Sequence, residues 1–139
     1  WSEPAIAAAG LAAFVGHLWP LYFGFKGGKG VATAFGIVLA LSPLLAGITL
    51  AIFVLAVATS RYVSLASVLS GVGASFAALA LYGMGPTSGA VILMAVLIVI
   101  RHRANLSRLV AGSESRLGAK RTIQPTAPTT PADPSAAER

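Results

Sequence analysis

The chain has 139 residues, 56% of them hydrophobic and 10% charged, with a net charge of +6 and no cysteine. A water-soluble domain carries about 25% charged residues, so this composition excludes an ordinary soluble surface. It also excludes a disulfide framework and a thiolate metal site. The basic balance does not mark a nucleic-acid binder, because the cations flank apolar runs, where they act as an orientation signal for membrane spans.

Taken in order, residues 4–16 (PAIAAAGLAAFVG) are apolar and uncharged and predict the end of a membrane helix. The opening Trp1-Ser2-Glu3-Pro4 lacks the basic start of a signal peptide, and the chain reads as N-terminally truncated. Residues 17–30 (HLWPLYFGFKGGKG) predict a loop rich in glycine and aromatics. Apolar runs follow at 31–41, 44–59, 63–82 and 88–100, broken at Ser42-Pro43, Ser60-Arg61-Tyr62 and Gly83-Met84-Gly85-Pro86. The string RHRANLSRLVAGSESR reads as a basic stop. Residues 117–139, rich in Pro, Thr, Ala and Ser, cannot bury a face and predict a disordered cytoplasmic tail. The membrane domain therefore covers 1–116.

Charge placement decides the topology. A turn at Ser42-Pro43 puts Lys26, Lys29, Arg61, Arg101 and Arg103 on one side and leaves the opposite turns without charge. A single span over 31–59 would put Arg61 opposite Lys26 and Lys29, against the positive-inside tendency. The expectation is an all-α, multi-pass bundle of about five short or half-length helices, with cytoplasmic loops forming the site. Residues 31–41 give only about 16 Å of helix, so that helix is expected to extend back into the GGKG loop. Small residues at Gly71, Gly73, Ala74, Ser75, Ala77 and Ala78 would let helices approach closely.

Three polar clusters then meet on the cytoplasmic face. In the first, Lys26-Gly27-Gly28-Lys29-Gly30 leads into an apolar helix. Glycine N–H groups, a helix N-terminus and lysine charge together favour a phosphate; the plainer alternative is a loop whose lysines only set orientation. It is not a P-loop, because Phe23 holds the first-glycine position and Gly30 replaces the hydroxyl. His17 either caps its span or hydrogen-bonds a substrate hydroxyl. In the second cluster, Arg61 either snorkels to headgroups or shares a helical face with Ser64 and Ser67 and binds a phosphate. In the third, Arg101, His102 and Arg103 suit a basic stop, but Glu114 does not. It is the one acidic residue between Glu3 and Asp133, and is expected to pair with arginines or accept a hydroxyl, near Asn105.

The strings GHLWPLYFGFKGGKGVATAFG, SRYVSLAS and RHRANLSRLVAGSESR, in this order, resemble the bacterial acyl-phosphate:glycerol-3-phosphate acyltransferase family. The resemblance covers about residues 10–116. Trp19 stands where the family more often has Phe, and a family loop of the kind S-x-N-x-G-x-T-N would precede Trp1. The resemblance implies an inner-membrane enzyme with a cytoplasmic C-terminus. It would transfer an acyl chain from acyl-phosphate to glycerol 3-phosphate, giving 1-acylglycerol 3-phosphate and phosphate, without metal, coenzyme A or another cofactor. Its site residues here would be His17, Lys29 and Arg61 for catalysis, with Lys26, Gly27, Gly28, Gly30, Ser64, Asn105 and Glu114 binding substrate. An acyl-phosphate is already activated, so positioning and charge stabilisation suffice. An anion transporter or a structural multi-pass membrane protein is the alternative. A transporter would use similar broken helices, but the apolar spans hold no ionisable residue. Neither reading fixes the oligomeric state.

Overall fold

The computed structural model describes residues 2–19 and 28–119. These form six helices: α1 (Glu3–Leu18), α2 (Val31–Leu41), α3 (Pro43–Ser60), α4 (Val63–Tyr82), α5 (Pro86–Arg101) and α6 (Arg103–Val110). No strand occurs among the described residues. Of the tail predicted over 117–139, residues 117–119 are described, with the Leu117 N–H bonded to the Arg61 carbonyl; the rest lies outside the described residues, as do Lys26 and Gly27.

Prolines set several starts. Pro4, Pro43 and Pro86 each lie in the first turn of their helix, where a missing N–H leaves no intrahelical bond unmade. At the α2–α3 break, Ser42 is extended and its Oγ accepts from the Leu45 N–H at 3.1 Å, a serine N-cap in front of an N1 proline. The break read from Ser42-Pro43 is thus a helix start as much as a helix stop.

Three local expectations need correcting. The loop predicted from residue 17 begins later, because α1 continues through Leu18 with Trp19 as its C-cap. The helix predicted to extend back into GGKG does not. Gly30 caps α2 in the left-handed region, at φ 77°, and a helix cannot continue through that geometry. The cause is tertiary. A Cβ at Gly30 would lie 2.6 Å from Phe14 Cε2 and 2.9 Å from Leu18 Cδ2, so the turn is pressed onto the buried face of α1. Arg61 does not share a helical face with Ser64 either. It caps α3 at φ 62°, and α4 starts only at Val63, after an extended Tyr62.

Long-range contacts fix the topology. At one end, Thr87 Oγ1 donates to Glu3 Oε1 at 2.8 Å and the Tyr82 hydroxyl donates to Ser42 Oγ. That end therefore gathers the start of α1, the α2–α3 turn, the end of α4 and the start of α5. At the opposite end, Arg101 Nη2 donates to the Gly28 carbonyl at 3.1 Å and Ser64 Oγ donates to Glu114 Oε1 at 2.8 Å. The first five helices thus run alternately up and down, with α2 and α3 a hairpin about Ser42. The described cations Lys29, Arg61, Arg101, Arg103, Arg108 and Arg116 all belong to the second end.

Close packing comes from small residues, as expected for helices that lipid does not drive together. Gly71 faces Ala95 of α5, and Gly73 faces Ile52 of α3. Ala74 and Ala78 are buried with Phe14, Leu18, Leu45 and Met94. By contrast Leu55, Phe76 and Leu44 point outward, an apolar exterior. α3 and α4 are long and apolar enough to cross a membrane, and α5 with α6 makes a third candidate, bent by 56°. The bend falls at His102, between the apolar α5 and the polar α6.

Candidate active site at the charged end

A cavity of about 700 Å³ opens at the charged end among α2, α3, α4 and α5. Its polar lining includes Lys29, Ser64, His102, Asn105, Glu114 and Arg116, and its apolar walls include Phe35, Val38, Phe53, Ala74, Val91 and Met94. From His102 to Val91 the lining descends α5 by about 16 Å, at 1.5 Å per residue. The cavity is thus polar at its mouth and largely apolar in its depth, where the Thr49, Ser67 and Ser70 hydroxyls are taken up by carbonyls of their own helices, a shape that fits a molecule with a charged head and an aliphatic chain.

Glu114 organises the mouth. Its Oε1 accepts from Ser64 Oγ at 2.8 Å and from Asn105 Nδ2 at 2.7 Å, and its Oε2 accepts from Arg108 Nε at 2.8 Å. The Glu114 side chain is 6% exposed while that of Arg108 is 50% exposed. The carboxylate is therefore shielded and the guanidinium reaches water. The hydrogen bonds from Asn105 and then Ser64 hold the Glu114 carboxyl down to about 2, against a smaller opposing effect of burial. Both contacts expected of a lone acid here, an arginine and a hydroxyl, are present. Gly112, at φ 71°, turns the chain after α6 so that Glu114 comes back over the start of α4.

The sequence candidates separate into groups. Lys29, Ser64, Asn105 and Glu114 come together around the cavity mouth. Gly28 is exposed beside His17, since a Cβ there would lie 3.2 Å from His17 Nε2. His17 itself is exposed at the end of α1 and is not a lining residue. Arg61 is also exposed and outside the lining; its carbonyl accepts from the Leu117 N–H at 2.7 Å. Gly30 packs on α1 as described above. Lys26 and Gly27 lie outside the described residues.

Sequence reasoning assigned His102 to the basic stop, yet it is 2% exposed and lines the cavity. Its Nδ1 lies 2.8 Å from the Ile98 carbonyl. A carbonyl can only accept, so Nδ1 carries a proton and the neutral ring keeps Nε2 as its acceptor. The spacing of His102 and Asn105 was the available signal, because residues three apart share a helical face. Ser67 and Ser70 also line the cavity, although their hydroxyls bond back to the Val63 and Ser67 carbonyls of their own helix. Arg116 was missed as well; its Nε donates to the Tyr62 hydroxyl at 2.8 Å and its guanidinium sits 5.3 Å from that ring. Among the described residues, no group of three or more His, Cys, Asp or Glu is placed to hold a metal ion.

Residues 2–112 match the family model described as glycerol-3-phosphate acyltransferase. The chain belongs to this family. It is 50% identical over 119 residues to the glycerol-3-phosphate acyltransferase of Ralstonia nicotianae. It is 46% identical over 122 residues to that of Neisseria meningitidis serogroup A. These alignments each take in 86% of this chain, but 58% and 60% of the relatives. Two crystal structures of PlsY, an integral membrane glycerol 3-phosphate acyltransferase, superpose with a TM-score of 0.78 at 40% identity. Each match covers 81% of this chain and 56–57% of PlsY; one is the glycerol 3-phosphate form and the other the lysophosphatidic acid form. This family member is accordingly an all-α membrane protein, and it spans under two thirds of the length of those relatives.

Proposed function

We propose that the chain carries part of the site of a glycerol-3-phosphate acyltransferase that uses acyl-phosphate as donor. The observation that carries this reading is the cavity with a cationic, hydroxyl-bearing mouth and an apolar depth. It occurs on a fold shared with proteins determined in glycerol 3-phosphate and lysophosphatidic acid forms. The glycerol 3-phosphate hydroxyl attacks the acyl carbonyl, the carbonyl–phosphate bond breaks, and phosphate leaves with the alcohol proton. Lys29 balances the phosphate charge, and Asn105 and Ser64, held by Glu114, meet the glycerol hydroxyls. The acyl chain lies along Phe35, Phe53 and Met94. Charge stabilisation and positioning are the protein's share of such a reaction. His17 and Arg61, outside the cavity lining, join from the rim. An anion transporter fits less well, because α2, α3 and α4 contain no Lys, Arg, His, Asp or Glu on which a path could continue.

The charged end faces the cytoplasm of an inner membrane on this reading, following the positive-inside tendency. The test uses the full-length protein with single cysteines in a cysteine-free background; the 139 residues here contribute none. In intact cells an impermeant thiol reagent should label cysteines at 43 and 85 and leave one at 107 untouched; labelling at 107 alone contradicts the orientation. Purified full-length protein should release phosphate from acyl-phosphate only when glycerol 3-phosphate is present, and failure to do so contradicts the reaction.

A further inference from the structure

Arg101 touches the glycine loop at a place the reaction scheme leaves unused. It ends α5, and the sequence explains it as part of a basic stop. Its Nη2 donates to the Gly28 carbonyl at 3.1 Å, and its guanidinium stands 5.8 Å from the Trp19 ring, at the C-cap of α1. One side chain therefore ties the end of α5 to the end of α1 and to the backbone just ahead of Lys29. Arg101 is not among the residues lining the cavity, whereas Lys29 is.

We propose that Arg101 is a positioning residue that sets the Gly28–Lys29 peptide, and through it presents Lys29 to the cavity. This rests on the phosphate-site reading of Lys29. The peptide is trans, as are all the described peptides, so its C=O and N–H point in opposite directions. Fixing the Gly28 carbonyl toward Arg101 turns the Lys29 N–H away from Arg101 and fixes where the Lys29 side chain departs. Gly30, left-handed and pressed on Phe14 and Leu18, anchors the other side of Lys29. A lysine between two glycines has an intrinsically loose backbone; the Arg101 clasp and the Gly30 contact together remove that looseness. Trp19 holds the guanidinium by a cation–π contact.

A clasp and a direct phosphate ligand predict different results. The Gly28 carbonyl takes one hydrogen bond, which a lysine ammonium can also supply, whereas a bidentate phosphate ligand does not tolerate Lys for Arg. In full-length protein, Arg101→Met should lower kcat/KM about tenfold, the order expected for one charged hydrogen bond, and Arg101→Lys should stay within about threefold of the parent. In a Lys29→Ala background, Arg101→Met should cost no more than about twofold, because the clasp acts through Lys29. Amide exchange over residues 28–30 should rise in Arg101→Met and not in Arg101→Lys, a readout independent of turnover. Full tenfold losses that multiply in the double variant, or unchanged exchange in Arg101→Met, overturn the clasp. If Lys29→Ala alone is fully active, the phosphate-site reading fails, and the exchange result still decides whether Arg101 holds the loop. Should Arg101→Met not fold, Arg101→Ala, which also lacks a donor, is measured in the same way. An active enzyme with parental exchange in that variant, or with parental kcat/KM after Trp19 and Arg101 are both replaced, would equally overturn the proposal.

Discussion

The two ends of the bundle use a glutamate differently. At the end that holds none of the described lysines and arginines, Glu3 is an exposed residue that accepts from the Thr87 hydroxyl at 2.8 Å and from its N–H at 3.4 Å. It ties the start of α1 to the first turn of α5, where a carboxylate suits the helix dipole. At the charged end, the shielded Glu114 gathers three side chains from two helices, Ser64 of α4 and Asn105 and Arg108 of α6, beside an open cavity. One contact joins two helix ends; the other holds two polar groups in place at the edge of a space large enough for a ligand. Polar residues are costly near a bilayer and are kept where they do something specific. The contrast between a staple and a scaffold beside a cavity is the reason the proposed chemistry is placed at the charged end.

That contrast predicts a graded series. The largest effect belongs to Lys29→Ala, which removes the one described lysine at the mouth and should lower turnover tenfold or more, the equivalent of a charged hydrogen bond at about 1.5–3 kcal/mol. Phosphate-release kinetics measure it. Next, Glu114→Ala should cost about tenfold in kcat/KM, because it frees Asn105 and Ser64 without touching Lys29; a normal rate would reduce Glu114 to a second staple. Glu114 also sets a pH dependence. Its carboxyl lies at about 2 in the folded protein against an ordinary 4.5. A lowered value means stability that is fully present above 4.5 and is lost as pH falls toward 2. Thermal unfolding in detergent should follow that window in the parent and lose this part of its slope in Glu114→Gln. The smallest effect is expected from Glu3→Gln, at the other end. The exposed contact should contribute at most about 0.5 kcal/mol, with turnover within twofold of the parent. A large loss of turnover there would erase the distinction between the ends.

Much of the fold could be read in advance because apolar runs and breakers are local features. The helix over 63–82 and the one over 31–41 begin and end where the runs do, and the hairpin at Ser42 followed from cation placement alone. What escaped depends on contacts between distant segments. The left-handed cap at Gly30 is imposed by Phe14 and Leu18 of another helix, and no local pattern contains them. Arg61 interrupts α3 and α4 by adopting φ 62°, which a non-glycine residue seldom does, so helical spacing from Arg61 to Ser64 was the natural but wrong register. The lining of the cavity mouth was legible in part for the same reason. Lys29, Asn105 and Glu114 stood out by charge or isolation in an apolar chain. His102 was masked by the arginines on either side of it, and α6 by a composition that resembles a basic stop.

The central claim is that the charged mouth and the apolar cavity together hold one substrate. The most direct measurement is photolabelling of full-length protein by an acyl-phosphate whose chain carries a diazirine at its far end, with the labelled residues mapped by mass spectrometry. The account predicts labels on cavity residues such as Leu50, Phe53 and Met94, reduced by unlabelled acyl-phosphate and by Lys29→Ala. Labels confined to the outward-facing Leu55 and Phe76, indifferent to competitor and to Lys29, would contradict it.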